Sequence, residues 1–68
     1  MQIHVNGKSL SISTATTLLS VVEMVCGTPI PTGVAVALNS TVISRSQWEQ
    51  TTLEADDQVE VLWASSGG

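Results

Sequence analysis

A chain of 68 residues holds one core and one domain, and a domain this small is stable only by a narrow margin. Two basic residues against six acidic ones, a formal net charge of −4, exclude a nucleic-acid binder, whose phosphates demand Lys and Arg, and favour a partner with a basic docking surface. A single cysteine, Cys26, and a single histidine, His4, exclude an intramolecular disulfide and a structural zinc site. The longest apolar stretch, Val34 to Leu38, is far too short to span a bilayer. Met1 to His4 lacks the basic start and apolar run of a signal peptide, so the expected compartment is the cytoplasm.

The chain opens with Met1, Ile3 and Val5 alternating with Gln2, His4 and Asn6, the period of a half-buried strand. Asn6-Gly7 supplies the pair of positive φ angles that a type I′ turn requires. Lys8 to Ser13 alternates again, with Leu10 and Ile12 inward and Ser9, Ser11 and Ser13 outward, which completes a β-hairpin. Thr14 to Thr17 offers hydroxyls for a helix start, with Thr17 the expected N-cap. Leu18, Val21, Val22 and Val25 then follow the spacing of a helical apolar stripe, widened by Leu19 and Met24. Gly27 suits the position after the last turn, and Pro29 and Pro31 prevent continuation. Three valines lower helix propensity slightly, so packing against a sheet must hold this segment.

Val34 to Leu38, bounded by Gly33 and Asn39, reads as a buried strand. Asn39-Ser40-Thr41 turns the chain into a brief strand at Val42-Ile43. Ser44-Arg45-Ser46-Gln47 has the form of a capping box and predicts a short helical turn over Arg45 to Glu49, with Trp48 plugging the edge of the core. Ala55-Asp56-Asp57 reads as a turn whose carboxylates face water. Gln58 to Trp63 is the last strand, with Val59, Val61 and Trp63 on one face and Gln58, Glu60 and Leu62 on the other. A hairpin, a crossing helix and a final strand laid parallel beside the first make a mixed sheet with one helix over one face. That is an α+β architecture of the β-grasp, or ubiquitin-like, type. The expected division is a domain over residues 1–63 and a flexible C-terminal tail over residues 64–68.

The tail, Ala64-Ser65-Ser66-Gly67-Gly68, organises the chemistry. Glycines adopt almost any backbone conformation and are thin enough to enter a channel that a branched residue would block. Beyond Gly68 lies a carboxylate, a poor electrophile that must be activated, usually as an acyl-adenylate made from ATP. Terminal residues also fray in most domains without any function. The other side chains carry less. Cys26, near the helix end and beside the apolar stripe, reads as a structural thiol. His4 on an outward strand face has no nucleophile to serve. Ser44, Ser65 and Ser66 have no companion His–Asp set. Arg45 can lay its stem on Trp48, with surface ion pairing a weak addition. Leu62, opposite Val59 and Val61, suits an apolar docking patch. Trp63, one step before the tail, is open between core packing and partner contact.

The residues Val34-Ala35-Val36-Ala37-Leu38-Asn39, then Val42-Ile43-Ser44-Arg45-Ser46-Gln47-Trp48, and the terminal Gly67-Gly68 resemble the ThiS family, the ubiquitin-like sulfur carriers of thiamine biosynthesis. The resemblance covers essentially the whole chain and departs from the family pattern at Ala55-Asp56-Asp57 and Ser65-Ser66. It implies a carrier and cosubstrate that is itself no enzyme and binds no cofactor or metal. An E1-like, ThiF-like adenylyltransferase would use ATP to convert the Gly68 carboxylate to an acyl-adenylate. Sulfur from a cysteine desulfurase or similar donor would displace AMP to leave a thiocarboxylate, which would deliver sulfur to a ThiG-like thiazole synthase. Ser65, Ser66, Gly67 and Gly68 would enter the partners' active sites, and Leu62 and Trp63 would dock beside them. Two other readings share the Gly-Gly end: the small subunit of molybdopterin synthase, and a ubiquitin-like modifier joined through Gly68 to lysines. A purely structural binding module with an inert tail is the remaining alternative.

Overall fold

In the computed structural model, residues 1–63 are described. Five strands form one mixed sheet in the order β2-β1-β5-β3-β4. β1 (Gln2–Val5) and β2 (Lys8–Ser11) are the expected hairpin, paired from Gln2 opposite Ser11 to Val5 opposite Lys8. Its turn residues, Asn6 and Gly7, have φ of 51° and 83°, the geometry that the right-handed twist of the strands selects. β2 ends two residues short of the predicted Ser13, although Ile12 still exchanges backbone hydrogen bonds with Met1. The chain must then rise over the sheet to start the helix, so the alternation outlasts the strand.

The helix α1 (Leu18–Cys26) starts where expected. The Thr17 hydroxyl accepts from the Ser20 amide at 3.3 Å, satisfying one of the orphan N–H groups of the first turn. Gly27, with φ of 87° and its own N–H on the Glu23 carbonyl, closes the other end. Leu18, Val21 and Val22 are buried, and Leu19 and Cys26 pack against them. The stripe is narrower than its spacing suggests. Met24 is 61% exposed and does not widen it, and Val25 lies at its margin. A nine-residue helix is covered by the sheet along one line only, and residues past its flank meet water.

β3 (Val34–Leu38), β4 (Thr41–Ile43) and β5 (Gln58–Trp63) complete the sheet. β5 is its central strand, parallel to β1 and antiparallel to β3. β3 is not the buried strand that its continuous apolar run suggests. Val36 is buried, whereas Ala35 is exposed and Ala37 half-buried, because the helix covers one face of the sheet and leaves the other open. The core lies between the covered face and α1, where Ile3, Val36, Val59 and Val61 meet Leu18, Val21 and Val22.

Trp48 sits on a 3₁₀ helix, Arg45–Gln50, one residue longer than the predicted turn. The capping box does not form: the Ser44 side chain makes no capping bond, and its backbone carbonyl accepts from Gln47 N–H at 2.9 Å instead. In a 3₁₀ helix that bond spans three residues and uses the N–H the box would have capped. Trp48 is 1% exposed, and its indole N–H donates to the Ile43 carbonyl at 2.9 Å. Arg45 lies 5.5 Å from the Trp48 ring centre. Its guanidinium donates to the Ile30 and Pro31 carbonyls at 3.0 and 3.3 Å, pinning the segment before β3. These carbonyls take the place of the expected surface ion pair.

Candidate functional site

The site is built around the C-terminal half of β5. Strand side chains alternate between faces, so Val59, Val61 and Trp63 lie on the covered face and Gln58, Glu60 and Leu62 on the open one. Leu62 is 60% exposed and stands opposite Ala35 in the β3 ladder. Ala37, the next open-face residue of β3, stands opposite Glu60 on one side and Val42 of β4 on the other. Val42 is 74% exposed. Leu62, Ala35, Ala37 and Val42 thus make an apolar stripe across three adjacent strands. It grades through Glu60 and Gln58 into His4, Ser9 and Ser11 on β1 and β2. An exposed apolar stripe with a polar rim is the kind of surface that a partner can cover.

Leu62 lies on the open face, opposite in parity to Val59 and Val61 as counting along the strand predicts. The other members of the stripe were legible in principle. Alanines at positions 35 and 37, alternating with Val34, Val36 and Leu38, keep one parity of the strand small, as an uncovered face allows. Trp63 shares the parity of Val61 and stands opposite Val34. It is 50% exposed. Ser65, Ser66, Gly67 and Gly68 lie outside the described residues, as does the predicted boundary of the tail.

Two asparagines missed as anything but turn formers hold β5 in place. Asn39 begins the β3–β4 turn with φ of 50°, followed by Ser40 at 72°. Its side-chain oxygen accepts from the Gln58 amide at 2.9 Å, and its Nδ2 donates to the Asp57 carboxylate at 3.0 Å. Asp57 also accepts from the Glu54 amide at 2.8 Å. The Asp57 carboxylate therefore orders the approach to β5 rather than simply facing water. Asn6 begins the other hairpin, and its amide bonds both backbone groups of Val61. Each hairpin turn thereby reaches sideways to the central strand. No sequence spacing reports this, since Asn6 and Val61 are 55 positions apart.

Two shallow depressions flank β2, one between Ser11 to Ser13 and Met24, the other between Lys8 to Leu10 and Val25. Neither adjoins Leu62 or Trp63. Among the described residues, no three His, Cys, Asp or Glu side chains gather as metal ligands would, and no helix is long and apolar enough to cross a membrane. The described end of β5 offers an exposed apolar surface.

A solved structure of the thiamine biosynthesis protein ThiS from Geobacter metallireducens superposes with a TM-score of 0.80 at 27% identity, covering 100% of both chains. No curated protein matches the sequence. The model of the ThiS family matches residues 3–68. The five-stranded β-grasp sheet, its single covering helix and this match over nearly every residue place the chain in the ThiS family of ubiquitin-like sulfur carriers.

Proposed function

We propose that this protein carries sulfur for thiazole formation in thiamine biosynthesis as a thiocarboxylate on Gly68. The Gly68 carboxylate attacks the α-phosphorus of ATP on an E1-like adenylyltransferase and releases pyrophosphate. The terminal sulfur of a persulfide, supplied by a cysteine desulfurase or similar donor, then attacks the acyl carbon and expels AMP, and a thiol cleaves the resulting acyl disulfide to leave the thiocarboxylate and a disulfide. The thiocarboxylate, ionised at neutral pH, is a stronger nucleophile than the carboxylate and delivers its sulfur to thiazole synthase. The carrier supplies the acyl group and the docking surface, and its partners supply the catalysis.

The observation that carries this reading is the apolar stripe ending at Leu62, on the strand that leads into the Gly-Gly tail. A partner that covers the stripe receives the tail in a constant position relative to its active site, which lowers the entropy lost on reaching the reactive geometry. The acidic balance of the chain suits an encounter with a basic partner surface.

The test is the intact mass of the protein after incubation with ATP, the thiamine-pathway adenylyltransferase and a sulfur source, beside a variant lacking Gly68. The expected result is replacement of one oxygen by sulfur in the full chain and no change in the truncated one. Absence of both adenylate and thiocarboxylate would sink the assignment. Activation by a molybdopterin-type enzyme instead, or lysine conjugates in cells, would move the chain to one of the other Gly-Gly roles.

A further inference from the structure

The main-chain groups of β5 point alternately to its two neighbours. The Asp57 carbonyl accepts from His4 N–H and the Val59 carbonyl from Asn6 N–H, both at 2.9 Å, so odd-numbered positions face β1. Gln58 faces the other way, its carbonyl accepting from Asn39 N–H at 2.8 Å. Val61 is the next position turned toward β1, but β1 ends at Val5 and the chain has left through the Asn6-Gly7 turn. The Val61 N–H and C=O would be stranded inside the sheet. The Asn6 side chain takes both. Its Oδ1 accepts from Val61 N–H at 2.8 Å and its Nδ2 donates to the Val61 carbonyl at 3.2 Å. A planar carboxamide carries the donor and acceptor of a peptide group, so Asn6 adds a last rung to the parallel ladder after the strand itself has gone.

We propose that Asn6 is a positioning residue for the chemistry at Gly68: its amide clamps Val61 and so fixes the line on which the chain leaves the sheet at Trp63. This rests on the reading of Gly68 as the group that is adenylated and thiolated. With the rung in place, β5 is held from both sides up to Val61. Without it, Val61 to Trp63 is held by β3 alone and opens as strand ends do. A tail that starts from a defined exit loses less freedom on entering a partner's channel than one that starts from a frayed strand. The effect therefore falls on capture of the tail and not on the reaction at its carbonyl.

Asn6→Gly isolates the amide, because Gly accepts the positive φ and Gly-Gly supports the same turn. Asn6→Asp keeps an acceptor for the Val61 N–H but sets a carboxylate against the Val61 carbonyl. The measurement is ATP–pyrophosphate exchange by the thiamine-pathway adenylyltransferase at varied carrier concentration, with NMR hydrogen exchange at the Val61 and Trp63 amides. For Asn6→Gly we expect Val61 exchange to quicken about tenfold and KM to rise about three- to tenfold with kcat little changed. Asn6→Asp should fall between wild type and Asn6→Gly, and it carries the test by itself if Asn6→Gly does not fold. Faster Val61 exchange with an unchanged KM overturns the proposal and leaves the amide a purely structural rung. Unchanged exchange at Val61, or a loss confined to kcat, also overturns it. A wild-type chain that supports no ATP–pyrophosphate exchange fails earlier: the reading of Gly68 is then wrong, and the proposal falls with it.

Discussion

Trp48 and Trp63 divide the aromatic content of the chain between two environments. Trp48 is enclosed by the core and donates to the Ile43 carbonyl, while Trp63 keeps about half of its surface in water. Removing Trp63 as Trp63→Phe should leave only blue-shifted emission that acrylamide quenches weakly. Trp48→Phe should leave red-shifted, readily quenched emission and cost about 1–2 kcal/mol in urea unfolding, from the lost hydrogen bond and the smaller ring. Ala15 makes a second prediction. It is exposed with φ of 70°, a conformation that strains a residue with a Cβ by about 1–2 kcal/mol. Ala15→Gly should therefore raise stability by about 0.5–1 kcal/mol, the greater unfolded freedom of glycine offsetting part of the relief. An unchanged or lower urea midpoint would contradict this. The sequence contains no cue to the strain, because alanine beside threonines reads as ordinary loop.

At the scale of elements, local chemistry was legible wherever a single residue type has one strong use. Asn6-Gly7 marked the hairpin, and Thr17 and Gly27 marked the two ends of α1, as the angles and cap bonds show. Thr17→Ala should destabilise the domain by about 1 kcal/mol, readable as a lower midpoint of thermal unfolding. Gly27→Ala should cost a similar amount, about 1 kcal/mol. A Cβ at Gly27 meets nothing within 4 Å, so that cost is backbone strain alone. The capping box at Ser44 shows where such signals fail. Its position marked the turn correctly, but the segment coils as a 3₁₀ helix whose own Ser44–Gln47 bond uses the donor the box would cap. The register of the helical turn is decided by Trp48 reaching the core and Arg45 reaching the Ile30 and Pro31 carbonyls. Those are tertiary contacts, and four letters of sequence do not contain them.

Across the described residues, the helix covers one face of the sheet and leaves the other open. Leu62 belongs to the uncovered face, so Leu62→Asp should change the urea midpoint by no more than about 0.5 kcal/mol in stability. The same substitution should weaken association with the adenylyltransferase by about thirtyfold or more, since truncating an apolar interface anchor costs about 2 kcal/mol or more. Titration calorimetry would decide it. A variant that binds as wild type does would remove the stripe from the interface. Association of an acidic chain with a basic partner should also slow as salt rises past a Debye length of about 10 Å at 0.1 M, which stopped-flow mixing at two ionic strengths checks.

Sequence alone determined the β-grasp order of elements, the inward faces of β1 and β5, and the family, because alternation, helical spacing and turn residues are local properties. It also named Leu62, whose parity along β5 follows from counting by two. Only the tertiary structure decided that β3 is half open, that Met24 faces water, and that Asn6 and Asn39 brace the central strand. Exposure depends on what packs above a face, and a side chain's partner depends on which distant strand lies beside it. Both are set by the way the nine-residue helix and the five strands of the described residues fit together.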